Sequence, residues 1–337
     1  MAMNAAKKHG YRYCETCGTK LLKNGKENGK QRWRCLQCGT ARIRSRADVA
    51  DLNRRKAYAK HLLNKGTALE VAERIGISRR TFDRNYTTRF QGISHGDGQQ
   101  LQATYVVIDA KRLGYGIVAI ARNEVGQLHW RYAPYESSDV WCRILSVYQD
   151  AGQSRLCAIV SDGQKGIQKA AAICFGDAIV LQRCHFHVKQ NLQAKLTKHP
   201  ATAAGQDLQL LAVWLAKVKT WDDMALFIGV FHGLFEAYGP FLWQRTYHTS
   251  TANGRRRWSY THARVRSAYR QVDDLIDSDQ LFAYITHPEL QLPNTTNHVE
   301  GGLNARMSEL TRAHRGLLPE RQRQMIDVFL TSKQPPC

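Results

Sequence analysis

The sequence contains two short hydrophobic runs that each end in an aspartate, Thr104-Tyr-Val-Val-Ile-Asp109 and Leu156-Cys-Ala-Ile-Val-Ser-Asp162. Their apolar and β-branched residues predict buried strands. Between the two runs we predict two further strands, Tyr115–Ala121 and Gln127–Tyr132, and a helix over Ser138–Asp150. Because short turns join the first three strands, they are expected to form a meander.

A helix over Lys165–Cys174 and a strand over Ala178–Leu181 complete the pattern. Three meandering strands followed by helix, strand, helix and strand are the element order of an RNase H-like α/β core, assigned to residues 103–183. In such a sheet Asp109 and Asp162 are expected to lie close together at one edge. Adjacent carboxylates repel unless a cation separates them, and their hard oxygen atoms suit Mg²⁺ or Mn²⁺. The alternative for either aspartate taken singly is that it caps a turn.

Residues 184–290 are predicted to form an all-α insertion, because apolar residues recur there at helical spacing. Trp214 and Trp221 are expected in the core of this insertion. The predicted helices are Val188–Leu196, Gln206–Lys219, Trp221–Phe235 and Trp258–Gln271.

The last of these helices begins in a stretch of arginines interleaved with aromatic residues. This composition suits a nucleic-acid surface, because bases stack on aromatic rings and arginines pair with phosphates. Arg256, Arg257 and Trp258 are therefore predicted to contact DNA. A place in the helical core is the open alternative for Trp258.

Residues 291–337 are assigned to the end of the core and a C-terminal tail. The segment Pro293-Asn-Thr-Thr-Asn-His-Val-Glu300-Gly-Gly leads into a predicted helix, Leu303–His314. Thr296 or Asn297 is expected to cap this helix and to place Glu300 in its first turn. The helix dipole also favours a glutamate there, which is the structural alternative to a functional role.

Four of the nine cysteines form two Cys-x-x-Cys pairs near the N-terminus, Cys14 with Cys17 and Cys35 with Cys38. The 17 residues between the pairs are typical of a tetrahedral four-thiolate site. We therefore predict one structural Zn²⁺ in a zinc ribbon over residues 1–45. A glycine follows each pair at the same offset and allows the loop to bend around the metal. A chance repeat and a redox pair are the alternatives.

Residues 46–92 are predicted to form a helix-turn-helix module. A helix over 49–64 precedes the capping box Thr67-Ala-Leu-Glu70, which opens a short helix. A turn containing Gly76 follows, and Ser78 can cap a second helix, Arg79–Phe90. Residues 93–102 are assigned to a linker.

The second helix of this module is basic, and Phe82 is expected to face back into its small core. The alternative is an ordinary helical hairpin with a solvated basic face. A helix-turn-helix would direct one set of side chains at the DNA major groove. These are Arg79, Arg80, Thr81, Arg84 and Asn85.

The net charge of +21 is concentrated at the front of the chain. Residues 1–90 hold 22 basic and 7 acidic residues, whereas residues 91–300 hold 21 and 18. This asymmetry predicts a nucleic acid as the partner, with a solvated basic face as the alternative. The hydrophobic content of 43% excludes a wholly disordered chain. Because the apolar runs, such as Met224–Phe231, are short, we expect neither a membrane protein nor a secreted one.

Four motifs occur in the order found in Mutator-like (MULE-type) DDE transposases. They are Tyr-Val-Val-Ile-Asp109, Ile-Val-Ser-Asp162-Gly, Cys184-His-Phe-His187 and Asn297-His-Val-Glu300-Gly. Over residues 100–330 the chain resembles these enzymes of bacterial insertion sequences and their eukaryotic relatives. Its front end resembles that of a bacterial subgroup. The resemblance implies an RNase H-like catalytic core interrupted by a helical insertion.

The resemblance also implies roles for individual residues. Asp109, Asp162 and Glu300 match the catalytic triad, which would hold two Mg²⁺ (or Mn²⁺) ions per active site with Asp109 between them. Cys184 and His187 match the Cys-x-x-His motif of the family, for which we expect a structural role. Asn297 is expected to position Glu300 or to contact DNA.

The expected activity is that of a DDE transposase. Such an enzyme binds the ends of its insertion sequence, hydrolyses phosphodiester bonds there and joins the 3′-hydroxyl to target DNA. We expect double-stranded DNA as partner, at least a homodimer in the synaptic complex, and a location in the bacterial cytoplasm at the nucleoid. One alternative is a catalytically inactive DNA-binding regulator, against which the intact triad argues. The other is a metal-dependent nuclease or resolvase, which would not explain the front end or the long insertion.

Overall fold

The computed structural model describes residues 13–14, 16–43, 56–64, 66–89, 101–149, 156–249 and 256–335. The chain divides into two compact units, residues 1–92 and 93–337. Residues 49–55 of the first predicted helix, residues 93–100 of the predicted linker and the last two residues of the chain lie outside the described part. Leu101, at the end of the predicted linker, is already buried in the core of the second unit.

A three-stranded antiparallel sheet forms the front of the first unit. Its strands, in spatial order, are β1 (Leu22–Glu27), β2 (Lys30–Arg34) and β3 (Ala41–Ile43). The turn between β1 and β2 is short. It consists of Asn28 and Gly29, both at positive φ, as a two-residue hairpin requires. The apolar cluster beside this sheet is very small.

After the sheet, the described residues of the first unit contain three helices, one over 56–62, α1 (Ala68–Arg74) and α2 (Arg79–Arg89). The predicted capping box is present, since Thr67 Oγ1 accepts from the Glu70 N–H and Glu70 accepts from the Thr67 N–H. The predicted core position of Phe82 is confirmed. Its ring is fully buried, 4.6 Å from that of Tyr58 and 5.3 Å from that of His61.

The second unit is built on a five-stranded mixed sheet, as predicted. Its chain order is β4 (Tyr105–Leu113), β5 (Gly116–Asn123), β6 (Leu128–Ala133), β7 (Ala158–Ser161) and β8 (Val180–Arg183). The spatial order is β6-β5-β4-β7-β8. The first three strands form an antiparallel meander, whereas β7 and β8 run parallel to β4. Of the three central strands, β5 and β7 are almost continuously buried, and β4 is buried from Val106 to Asp109, which explains their apolar runs.

Helices cover both faces of this sheet. On one face α3 (Ser138–Leu145) and α4 (Lys165–Phe175) pack against alternate residues of β4 and β5. Toward the other face, the C-terminal helix α12 (Pro319–Ser332) is joined to β6, where Trp130 Nε1 donates to Asp327 at 2.9 Å. The predicted C-terminal tail is held as far as Gln334, whose side chain makes two hydrogen bonds with the backbone of Leu128.

Five helices form a separate apolar core in the insertion. They are α5 (His185–Leu196), α6 (Ala203–Trp214), α7 (Trp221–Leu242), α8 (Ala263–Asp277) and α9 (Ala283–Thr286). Short 3₁₀ turns complete the unit at Ser146–Tyr148, Gly176–Ala178, Leu215–Lys217 and Pro288–Leu290.

The prediction of an all-α insertion is wrong at one place. β9 (Arg245–Thr249) and β10 (Arg256–Tyr260) form an antiparallel hairpin between α7 and α8. Trp258, predicted at the start of a helix, is paired with Tyr247 in this hairpin. β9 contains two threonines and a tyrosine, and β10 contains a tryptophan and a tyrosine. Pairs of such residues across the strands favour β structure over the predicted helical turn.

The prediction that Trp221 lies in the core is also wrong, because its side chain is 57% exposed at the start of α7. Trp214 is half-buried and packs 5.5 Å from Phe227. Among the described residues, α7 is the one helix long and apolar enough to cross a membrane by length and composition. This is weak evidence for a span, since a core helix passes the same test. Phe227 and Phe231 of α7 are buried in the insertion.

His185 makes the stability of the second unit depend on pH. Its buried ring donates from Nε2 to the carbonyl of Leu281 at 2.8 Å, and burial lowers its pKa to about 4. The unfolded chain protonates this imidazole more readily than the folded one. The free energy of unfolding should therefore be highest above pH 6.5 and fall by up to about 3 kcal/mol between pH 6.5 and pH 4. Urea unfolding at several pH values checks this. His185→Gln should lose this part of the pH dependence, and an unchanged profile would contradict it.

Candidate functional site

Asp109 lies within β4 and does not end it, contrary to the prediction. The strand continues to Leu113 because β5 pairs with it throughout, whereas the parallel neighbour β7 stops at Ser161. Val107 is paired with Val160, and extending this register by two residues aligns Asp109 with Asp162. The two aspartates therefore stand at the same level of adjacent strands. Asp109 is 8% exposed.

Both oxygens of the Asp109 carboxylate accept hydrogen bonds. The N–H of Ala110 donates to Oδ1 at 2.9 Å, and Asn304 Nδ2 donates to Oδ2 at 2.6 Å. Asn304 is buried, and its Oδ1 has no hydrogen-bond partner within the part of the chain that the structure describes. The sequence analysis missed Asn304. The available signal is its position four residues after Glu300, where helical residues share a face.

The Glu300 segment is a continuous helical run that begins earlier than predicted. It consists of α10 (Asn297–Val299), a π-helical turn (Glu300–Asn304) and α11 (Ala305–Ala313). Such widened turns are rare in proteins overall, and many of those known lie at functional sites. The hydrogen bond from Asn304 to Asp109 holds this helical run against β4. The backbone of Glu300 is about one turn away from Asn304 along the run. The side chains of His298 and Glu300 lie outside the described part.

Cys184 joins the elements that carry Asp162 and Glu300. Its N–H donates to the carbonyl of Ser161 at 2.8 Å, directly before Asp162. Its buried sulfur accepts from the N–H and the hydroxyl of Thr296, at 3.2 and 3.3 Å. Thr296 directly precedes α10, at the position of one of the two expected caps, and its hydroxyl donates to the Cys184 sulfur. Burial acts to raise the pKa of the Cys184 thiol, but hydrogen bonds from His187 and Thr296 lower it below its usual value.

A further carboxylate, missed by the sequence analysis, lies near Asp162. Glu136 precedes α3, and its Oε1 accepts from Trp141 Nε1 at 3.1 Å. Burial and the negative charge of Asp162 raise the pKa of Glu136. Asp162 itself accepts from the N–H of Gln164 at 3.0 Å. Acidic groups therefore accumulate at this edge of the sheet. No sequence motif surrounds Glu136, so the folded chain was needed to identify it.

The four cysteines of the first unit converge as predicted, with all four sulfur atoms within 4.8 Å of one another. The Sγ atoms of Cys14 and Cys38, and those of Cys17 and Cys35, are 3.4 Å apart. Disulfide sulfurs are about 2.05 Å apart, whereas four thiolates around Zn²⁺ lie at about these longer separations. The cluster therefore fits a structural zinc ion.

The two cysteine loops have the same backbone geometry. Gly18 and Gly39 have φ near +70°, and each N–H donates to the carbonyl of the first cysteine of its loop. The N–H groups of Cys17 and Thr16 point at the sulfur of Cys14 and lower its pKa to about 6. Such N–H groups stabilise thiolates, the form of cysteine that binds metals.

The predicted DNA-contact residues of α2 lie on or near the surface. Arg79 is engaged with Asp83 at 2.9 Å, while Arg80 and Arg84 are exposed. Thr81 and Asn85 are half-buried, and the Thr81 hydroxyl lies 2.9 Å from that of Ser78. One arginine of the predicted set is thus already paired within its own helix.

The β9–β10 hairpin presents aromatic rings with arginines on their faces. The guanidinium of Arg245 lies 4.2 Å from the ring centre of Trp258, and that of Arg256 lies 4.6 Å from Tyr247. Trp258 is 47% exposed, so the alternative of a core position is excluded. Residues 245–272 contain seven arginines and no acidic residue. Arg256 and Arg257 are exposed in this positive segment.

Residues 103–214 match the protein family described as "Transposase, Mutator family". The match runs from β4 to the end of α6. It therefore includes Asp109, Asp162 and the Cys184–His187 motif, whereas Glu300 lies beyond it. The comparison with curated proteins gave no match.

Proposed function

We propose that the protein is a DDE transposase of a bacterial insertion sequence, because residues 103–214 match the Mutator transposase family. It binds the ends of its element, hydrolyses phosphodiester bonds there and joins the 3′-hydroxyl to target DNA. One observation carries the proposal: Asp109 and Asp162 share a level on adjacent strands, and Asn304 holds the helix of Glu300 against Asp109. The strand order β6-β5-β4-β7-β8 supports the RNase H-like assignment.

Asp109, Asp162 and Glu300 are proposed to hold two Mg²⁺ (or Mn²⁺) ions. The donor set fits, because hard carboxylate oxygens gather at one edge and the charge of Asp162 already raises the pKa of Glu136. When bound, the ions supply Lewis-acid stabilisation of the charge that develops on the reacting phosphate. The Asn304 amide orients one oxygen of Asp109. Cys184, His187 and Thr296 hold the elements of Asp162 and Glu300 together.

The first unit is proposed to recognise the element ends. A zinc ribbon and a helix-turn-helix would both contact double-stranded DNA, the latter through Arg80, Arg84 and their neighbours on α2. In the second unit Arg256, Arg257 and Trp258 of the hairpin are proposed to contact DNA, because exposed cations and aromatic rings occur there without any acidic residue. Two ends must be brought together, so we propose at least a homodimer. Its place of action is the bacterial nucleoid.

The test uses end-labelled DNA that carries the sequences flanking the gene, incubated with the full-length protein and Mg²⁺. We expect cuts at two defined flanking positions that disappear with EDTA and in Glu300→Gln. Tight binding at those positions without cleavage would indicate a regulator. Cleavage that ignores sequence would indicate a nuclease. Either of these results would overturn the proposed function.

Asn304→Ala is expected to reduce the cleavage rate about 10- to 100-fold, because residues that orient metal-binding groups typically have effects of this size. The loss should be smaller at high Mg²⁺ concentration, since the variant leaves all three carboxylates in place. Cleavage rates across a Mg²⁺ titration check this. Ser308→Ala, one turn further along the same helical run, is the matched control. An Asn304→Ala variant with the parent's rate and Mg²⁺ dependence would refute the positioning role.

A further inference from the structure

A basic groove of about 700 Å³ opens in the second unit directly beside the candidate active site. It begins at Gly163, next to Asp162, and runs between α4, α5 and α8. Asp274 is the acidic residue among the described lining residues. The basic residues that line the groove are Lys165, Arg183, Lys195, Arg264 and Arg270.

Arg183 is held at the inner end of this groove without a partner for its charge. Its backbone is fixed by an N–H···O bond to Gln280 at 2.7 Å, and its guanidinium occupies the space that a Cβ at Gly163 would need. Its Nε is buried and makes no hydrogen bond, and no carboxylate of the described residues lies within ion-pair distance. Burial lowers the pKa of Arg183, and the charge of Asp162 only partly opposes this. Arg183 is half-buried, and a guanidinium that is partly removed from water without an ion pair is stabilised by an anionic ligand.

Lys195 and Gln271 supply further donors to the same groove. Lys195 Nζ donates to the carbonyl of Ser267 at 3.0 Å and to Gln271 Oε1 at 2.8 Å. One of the three ammonium protons therefore remains for another acceptor. That contact fixes the Gln271 amide, whose Nε2 is buried and has no partner in the described part of the chain. Burial lowers the pKa of Lys195, the charge of Asp274 opposes this, and the charge of Arg183 adds to the lowering. Two cations and a free amide donor thus line one groove.

We propose that this groove binds the phosphodiester backbone of the DNA strand that enters the active site, with Arg183, Lys195 and Gln271 contacting one phosphate near the reacting bond. Arginine and lysine are the usual ligands of phosphate oxygen atoms, and the Lys195 ammonium keeps one proton for such an acceptor. The groove is open and begins beside Asp162, as a continuous strand requires. Its other wall, α8, follows directly after the arginine-rich hairpin. The assignment rests on the proposed function.

Binding of the full-length protein to labelled duplexes, measured by fluorescence anisotropy without divalent metal, tests the assignment. Lys195→Gln is expected to weaken binding about tenfold and to reduce the salt dependence by about one counterion, on flanking and unrelated DNA alike. Arg183→Gln should behave similarly, and Arg183→Lys should retain most of the affinity. The matched control is Lys217→Gln, an exposed lysine of the insertion outside the groove. Thermal unfolding verifies that each variant is folded.

Single methylphosphonate substitutions in the DNA locate the contact. In the parent protein, neutralising one particular phosphate should weaken binding, and Lys195→Gln should show no further loss at that position. The groove assignment would be overturned if each methylphosphonate weakened binding equally in the parent and in Lys195→Gln. It would also be overturned if Lys195→Gln bound DNA like Lys217→Gln. If instead the parent does not cut flanking DNA but Lys195→Gln still binds all DNA more weakly, the proposed function fails and the phosphate site stands.

Discussion

Asp162→Asn is expected to abolish cleavage of the element ends while leaving their binding within about twofold. Asparagine has the same size, but its neutral amide binds Mg²⁺ poorly, so the several kcal/mol of charge stabilisation supplied at the reacting phosphate is lost. This corresponds to at least about a thousandfold lower rate. Asp162 is only half-buried, and the hydrogen bond from Gln164 to its Oδ1 remains available to an asparagine oxygen. Single-turnover cleavage and anisotropy on the same DNA measure the two effects separately.

Asp177→Asn provides the matched control, because this exposed aspartate lies in the same unit away from the edge of the sheet where β4 and β7 meet. It should cleave and bind like the parent. Asp109→Asn should resemble Asp162→Asn in rate, although the buried contact with Asn304 also has to adjust. Cleavage by Asp162→Asn at the rate of the parent would refute the assignment of the acidic triad.

The core was predictable because its evidence is local in the sequence. Apolar runs mark the central strands, and five predicted strands in this order specify one sheet. The position of Asp109 within its strand was not predictable in the same way. Antiparallel pairing with β5 extends β4 to Leu113, so the strand ends where its longer neighbour ends and not where the parallel one does.

The missed site residues depend on contacts between distant parts of the chain. Asn304 reaches Asp109 across 195 residues, and Thr296 reaches Cys184 across 112. No spacing rule reports such pairs, even though each partner stands beside a recognised motif. The Cys184 contacts give the Cys-x-x-His motif a physical task that its sequence alone left open: they join the end of β7 to the segment that leads to Glu300.

The hairpin β9–β10 was missed for a different reason. Its strands are exposed on nearly every side chain, so they lack the apolar alternation by which strands are identified. The stacking of Arg245 on Trp258 and of Arg256 on Tyr247 stabilises it. Cations and rings that the sequence interleaves are therefore brought onto one short ribbon, which strengthens the case for a nucleic-acid surface over a helical core.

Cys35→Ser is expected to remove zinc from the first unit and to unfold its ribbon. The apolar cluster there consists of Cys14, Leu21 and Cys35, with Cys17 and Trp33 packed against it, so most of its core is the metal site itself. Zinc binding supplies about 10–16 kcal/mol of apparent free energy in small zinc domains, far more than such a cluster provides. Zinc content and protease resistance of the first unit measure the loss. Specific binding of the element ends should fall at least about a thousandfold, to the level of unrelated DNA.

Cys142→Ser is the matched control for this prediction, since it makes the same chemical change at a half-buried cysteine of the second unit. It should retain one zinc ion per chain and bind the element ends like the parent. Because the acidic residues at the active-site edge belong to the other unit, Cys35→Ser should still cut DNA at high concentration, but without preference for the ends. A Cys35→Ser variant that keeps its zinc and its end specificity would contradict the zinc ribbon. Loss of zinc with unchanged specificity would show that end recognition resides outside the ribbon.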